Sequence, residues 1–295
     1  MESAAGHLIG GRYRLTAVIG RGGMGVVWRA QDERLGRDVA VKELARPANL
    51  SAGEQRAACR HAITEAQAAA RLSHRNVIRV FDITEEGGSP WIVMELLPPW
   101  SLQDLIEERG RLAPALTAEI GLSILAALRA AHAAGIVHRD VKPANVVLAQ
   151  GRVVLADFGI ARVSGPSALT TADVLIGSPS YIAPERARGG QSGPAEDLWA
   201  LGALLYAAVE GRAPFDRDGD ALASLAAALA DEPEPASQAG PLLWPVISGL
   251  LRKDPARRLD AAQAERMLRR AAAPAAAPAA TASPRRPALM PGAAA

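Results

Sequence analysis

The chain has 295 residues, 49% of them hydrophobic and 22% charged, with a formal net charge of +2. That composition excludes a fibrous or low-complexity polymer and suits a globular chain long enough for two lobes or domains. The 33 basic residues are scattered rather than gathered in a stripe, which gives nucleic-acid binding no support, and the single cysteine, Cys59, excludes an internal disulfide and is compatible with a reducing cytoplasm. The N-terminus shows no basic segment followed by an apolar run, and no stretch is expected to reach the roughly 18 apolar residues of a membrane helix.

In chain order, Arg12–Thr16 alternates polar and apolar residues as a half-exposed strand does, and Val26–Ala30 reads as the next strand. Between them Gly20-Arg21-Gly22-Gly23-Met24-Gly25-Val26-Val27 fits G-x-G-x-x-G-x-V, in which small residues let backbone amides approach phosphates. No helix opens after Gly25 and no Gly-Lys-Ser/Thr follows, so neither a dinucleotide fingerprint nor a Walker loop fits. Taken alone the cluster leaves a plain glycine-rich hairpin turn open. Val39–Lys42 reads as a third strand with Ala40 and Lys42 on one face and Val39 and Val41 on the other. A helix is expected from about Gln55 to Leu72, where Glu65 interrupts an apolar stripe of Ala62, Ala69 and Leu72. A carboxylate in that position needs a partner. Val77–Ile83 and Trp91–Leu97 are two further strands around a turn at Glu85–Ser89. Pro98-Pro99 stiffens the exit, and Trp100 either covers the rim of a pocket or packs on the helix that follows, with packing the expected case. Ser101 and Asp104 read as the start of that helix, and Ala115–Ala134 as a long apolar helix closed by Gly135 that belongs at the centre of a helical region.

The chemistry lies farther on. His138-Arg139-Asp140-Val141-Lys142-Pro143-Ala144-Asn145 is followed by Asp157-Phe158-Gly159, which ends the short buried strand Val153–Ala156. The Asp140 carboxylate can accept a hydroxyl proton, and Asn145 and Asp157 are hard oxygen ligands suited to Mg²⁺ on nucleotide phosphates. His138 is expected to be structural. Of the 33 basic residues only Lys42, Lys142 and Lys253 are lysines, and the first two fall inside these motifs. An ammonium and a guanidinium are not interchangeable against phosphate oxygens, so the surviving lysines mark positions.

The chain resembles the protein kinase family on these residues, from about Tyr13 to Arg270, and in particular the bacterial eukaryotic-like Ser/Thr kinases. The resemblance implies an α+β, two-lobed fold: a small lobe with a five-stranded antiparallel sheet and one main helix, and a larger, mainly helical lobe. The boundaries expected are an N-terminal segment 1–11, a small lobe 12–97, a large lobe 98–270 and an Ala/Pro/Arg-rich disordered tail 271–295. It implies ATP and Mg²⁺, with the nucleotide held by Ile19, Gly20, Gly22, Gly25, Val27, Ala40, Lys42, Met94, Glu95, Leu97 and Val147, Met94 standing at the back of the adenine pocket and Glu95–Leu97 forming the hinge. Asp140 is implied as base, Lys142 as the charge on the transferring γ-phosphoryl, Asn145 and Asp157 as metal ligands, and Lys42 as paired with Glu65.

Thr170 and Thr171 are the candidate phosphorylation sites of the activation segment, with Arg139 as the guanidinium a phosphate would meet. Lys142 and the hydroxyl of Ser178 resemble the Ser/Thr pattern rather than the Tyr pattern. Asp197 is expected to brace the catalytic loop and Arg258 to pair with Glu185. Protein substrates, and a homodimer for trans-autophosphorylation, follow by family analogy only. Two other readings stand beside the kinase: a nucleotide-binding pseudokinase scaffold, which would be marked by loss of Lys42, Asp140, Asn145 or Asp157, all present, and a small-molecule phosphotransferase, which would match Ala183-Pro184-Glu185 and Arg258 less well.

Overall fold

The computed structural model describes residues 5–22, 25–44, 51–149, 151–158, 179–190 and 193–273. Thr170, Thr171, Ser178 and residues 274–295 of the tail lie outside them, while Ala271 and Ala272, expected to open the tail, belong to the last helix.

An antiparallel sheet forms the small lobe. Its strands are β1 (Leu8–Ile9), β2 (Tyr13–Gly22), β3 (Gly25–Asp32), β4 (Arg37–Leu44), β5 (Val80–Glu86) and β6 (Ser89–Met94), in the order β1-β2-β3-β4-β6-β5. Alternation sorts the side chains as expected. Tyr13, Leu15, Trp28, Val39, Val41, Trp91 and Val93 share one apolar layer, while Ala40 and Met94 face the other way into a second. Helix α1 (Ala52–Ala70) covers the sheet through Ala62 and Ala66, which meet Leu44 and Ile92. Its start is fixed by a capping box between Ser51 and Glu54.

Three expectations are corrected here. The sheet has six strands, because Leu8 and Ile9 pair with Arg14 and Tyr13 around a turn in which Gly10 and Gly11 take positive φ, and Ile9 is buried. The strand expected at Val77 starts at Val80. Val77 bridges Leu155 and the Ile78 amide donates to the Leu155 carbonyl, so this stretch is drawn to the large lobe. The other strand end, at Leu97, stops at Met94.

The large lobe holds α2 (Leu102–Arg109), α3 (Pro114–Ala133), the hairpin β7 (Val146–Ala149) and β8 (Arg152–Leu155), α4 (Pro184–Ala187), α5 (Pro194–Glu210), α6 (Ala221–Ala230), α7 (Gly240–Leu250) and α8 (Ala261–Ala272). Its centre is α5 rather than α3. Every residue of α5 from Glu196 to Val209 is buried, whereas α3 keeps Glu119, Ser123 and Arg129 on an open side. The expectation about apolar length is also corrected, since α3 has 20 residues and a mean hydropathy of 1.3. Half of that stretch is buried, and it packs on α5 and α8, which accounts for its apolarity within the fold.

Candidate active site

The catalytic loop is held by a buried carboxylate. Asp197, near the start of α5, accepts from the backbone amides of His138 at 2.8 Å and Arg139 at 2.8 Å and lies 2.7 Å from His132 Nε2. The expected bracing role of Asp197 is thus seen directly, together with a partner, His132, that no motif had marked. His138 is fully buried: Nε2 meets the Ala156 carbonyl at 2.9 Å and the ring lies 4.5 Å from that of Phe158. Burial holds its pKa below the usual value for histidine, despite the opposing pull of Asp197. It is a structural residue here. Arg186 adds a bond to the Arg139 carbonyl at 2.7 Å, a contact also missed from sequence. Arg258 holds Glu185 through both guanidinium nitrogens, at 2.6 and 2.9 Å.

On this frame Asp140 meets two of its expected companions. Asn145 Nδ2 donates to Asp140 Oδ2 at 2.9 Å and to the Asp140 carbonyl at 2.8 Å, and Lys142 Nζ lies 2.9 Å from the same Oδ2. Both bonds to Asn145 require its NH₂, which leaves the carboxamide oxygen turned away from Asp140. Asp157 presents Oδ1 to Lys42 Nζ at 2.7 Å. Two hard oxygen donors beside an ammonium form a donor set that fits Mg²⁺ with phosphate.

The Lys42–Glu65 pair is not formed. Lys42 is on Asp157, and Glu65 accepts from Arg139 Nη1 at 2.8 Å, with His61 3.7 Å away. Among the described residues only Arg139, Asp157 and Asp218 carry positive φ without being glycine, at 65°, 57° and 52°, and the first two flank this site. Arg139 is held from behind by Asp197 and Arg186 while its guanidinium reaches Glu65 on α1, and Asp157 places its carboxylate on Lys42. A cavity of about 130 Å³ remains between α1 and the loop, lined by Glu65, Ala68, Ile136, Val137, Arg139 and Phe158 among others.

Above the loop several of the residues expected to hold the nucleotide lie in one apolar cluster. Val27, Ala40, Met94, Leu97 and Val147 gather in one cluster with Leu96 and with Ile78, Val154 and Ala156, which sequence reasoning had not assigned to it. Glu95 contributes no side chain, since its carboxylate receives the Arg79 amide at 2.9 Å and faces Arg152. Among the described residues the Leu97 amide and the Glu95 carbonyl have no backbone partner. Gly20, Gly22 and Gly25 lie on the β2–β3 turn and Ile19 beside them is partly exposed. A Cβ at Gly22 would meet nothing of the protein within 4 Å, and Gly25 has φ of 135°. Packing therefore does not demand glycine at position 22, which fits a surface kept open for phosphates. Trp100 is 41% exposed, which favours the rim alternative over full packing on α2.

A two-lobed fold with this loop is the architecture of the protein kinases, and the chain belongs to the protein kinase family. Residues 13–268 match the model described as "Protein kinase domain". The chain is 39% identical over 274 residues to a probable serine/threonine-protein kinase, SCO3848, of Streptomyces coelicolor, covering 88% of this chain and 39% of that protein. It is 37% identical to the serine/threonine-protein kinase PknL of Mycobacterium tuberculosis, covering 81% of this chain and 58% of the relative. Against the serine/threonine-protein kinase PknA of the same species, identity is 37%, with 88% and 60% covered. The chain thus spans between about two fifths and three fifths of these relatives' length.

Proposed function

We propose that the protein is an ATP- and Mg²⁺-dependent protein Ser/Thr kinase. The observation that carries this reading is the convergence of Lys142 and Asn145 on Asp140, beside Lys42 and Asp157. The adenine sits in the apolar cluster and bonds the hinge backbone at Glu95 and Leu97, and the glycine turn covers the phosphates. Bound Mg²⁺, held by Asn145 and Asp157, supplies charge neutralisation on the phosphate oxygens. Asp140 accepts the proton of the substrate hydroxyl as that oxygen attacks the γ-phosphorus and the bond to the β-phosphate oxygen breaks. Lys142 stabilises the charge on the transferred group.

In turnover Lys42 leaves Asp157 for the α- and β-phosphates and pairs with Glu65, so the arrangement in hand is a resting one. Phosphorylation of Thr170 or Thr171, in trans within a homodimer, is part of the same proposal and rests on kinship alone. Proteins carrying Ser or Thr are the substrate class, because an ammonium at position 142 matches that pattern.

The test is phosphate transfer from labelled ATP to a generic protein substrate. Asp140→Asn is expected to lower turnover by a factor of about 10² or more while nucleotide binding stays. Turnover equal to wild type would remove Asp140 from its role. Nucleotide binding by the wild type without any transfer would instead support the scaffold reading.

A further inference from the structure

Trp100 is the one tryptophan of five that stands exposed. Trp28, Trp91 and Trp199 are buried and Trp244 is half-buried. Its backbone is nevertheless fixed on both sides. The Trp100 amide donates to the Pro98 carbonyl at 2.8 Å, a γ-turn centred on Pro99, whose ring-locked φ suits that turn. The Trp100 carbonyl accepts from the Leu148 amide at 2.9 Å, and Ser101 bridges Val147.

These contacts define where the residue stands. Val147 belongs to the floor of the apolar pocket, and Leu97, three residues earlier, belongs to its hinge wall. Three residues span at most about 11 Å when extended, and the γ-turn shortens that reach. Trp100 therefore lies at the mouth of the pocket between hinge and floor. The polar side chains next to it are turned elsewhere: Asp104 caps Ser101, and Gln103 donates to Glu107. A large aromatic surface left uncovered at the rim, on a backbone held rigid, is suited to a ligand with an apolar or ring face.

We infer that Trp100 is a specificity-determining residue of the nucleotide site, its indole forming the outer wall against the ribose and the outward edge of the adenine. This inference rests on the kinase reading of the pocket. The sugar and base edge present CH groups and ring edges to the indole, while hinge backbone groups read the base's polar edge. The occupant is the nucleoside, because the residue is tied to the hinge and to Val147.

The test uses the full chain. Adding ADP to the wild type should lower the acrylamide quenching of the exposed indole. Trp100→Ala should weaken ADP binding by calorimetry about three- to tenfold and raise the KM for ATP by a similar factor. In the same variant kcat at saturating ATP and the KM for the protein substrate should move by less than about twofold, and Trp100→Phe should restore most of the affinity. ADP affinity unchanged in Trp100→Ala, or a rise in protein-substrate KM with ATP KM unchanged, overturns the inference and leaves the pocket reading intact. Indole quenching unchanged by bound ADP overturns it too, without any variant. A wild-type chain that binds no ADP removes the pocket reading and this inference together.

Discussion

The two sides of the catalytic loop differ in how firmly their charges are committed. Behind it, Asp197 is 1% exposed with two amides and His132 on it, and Arg258 is 6% exposed with both arms on Glu185. In front of it, Lys42, Glu65, Arg139 and Asp157 form two pairs that could be drawn differently, and all but Lys42 are partly open to water. A buried carboxylate with three donors has no alternative arrangement of similar energy, because any orphaned donor costs about 1–3 kcal/mol. Partly exposed pairs are worth about 1 kcal/mol or less, so partners exchange readily. The two kinds of pair meet at Arg139, whose amide is bound to Asp197 and whose guanidinium is bound to Glu65.

The sharpest way to break this comparison is Asp197→Ala, which orphans both amides and His132. The expected loss is on the order of 3 kcal/mol in stability, read as a urea midpoint, with turnover falling alongside. A melting temperature within about 2 °C of wild type would show that the loop holds its own shape. Glu65→Gln probes the other side and should behave in the opposite sense. Stability should change by less than about 1 kcal/mol, since the pair with Arg139 is partly exposed. Turnover should fall about tenfold or more, because the charge that Lys42 requires in the active arrangement is gone. A variant that loses stability but keeps its rate would show that Glu65 serves the resting state alone.

The frame was legible in the sequence because it is written in residue types at set spacings. Asp140, Asn145 and Lys142 had to meet once the loop turned, and Val39–Lys42 sorted its faces by simple alternation. What was not legible depended on balances between distant parts. The sequence offers Lys42 two candidate carboxylates, Glu65 and Asp157, from distant parts of the chain, and no local pattern announces that Asp157 takes Lys42 while Arg139 takes Glu65. Val77 and Ile78 have strand character, yet their partner Leu155 lies far along the chain. For Trp100 the sequence leaves rim and packing both open, since exposed aromatics at a rim are the rarer case, and the choice turns on its 41% exposure and on the γ-turn at Pro99. The edge strand at Leu8-Ile9 did carry a signal, two glycines after two apolar residues, that was passed over.

The smallest expected effect comes from His138, on the committed side. Its pKa is lowered by burial, so the folded protein keeps it neutral where the unfolded chain takes up a proton near pH 6.5. The unfolded state is then favoured as pH falls below about 6.5, while above that value the residue contributes nothing to the pH dependence. The slope from this one group is at most about 1.4 kcal/mol per pH unit. Asp32 and Asp104 act in a separate, more acid window. Arg12 holds the first and Ser101 the second below the usual carboxylate range, so their stabilisation is lost only as pH falls below about 4. Urea midpoints at pH 7.5, 6.5 and 5.5 for the wild type and His138→Phe separate the windows, because the other histidines are common to both proteins. The variant is expected to be less stable at pH 7.5 and to show a shallower decline towards pH 5.5. Equal slopes would mean that the folded loop opens enough to let His138 protonate, which would place this side of the loop among the movable charges rather than the frame.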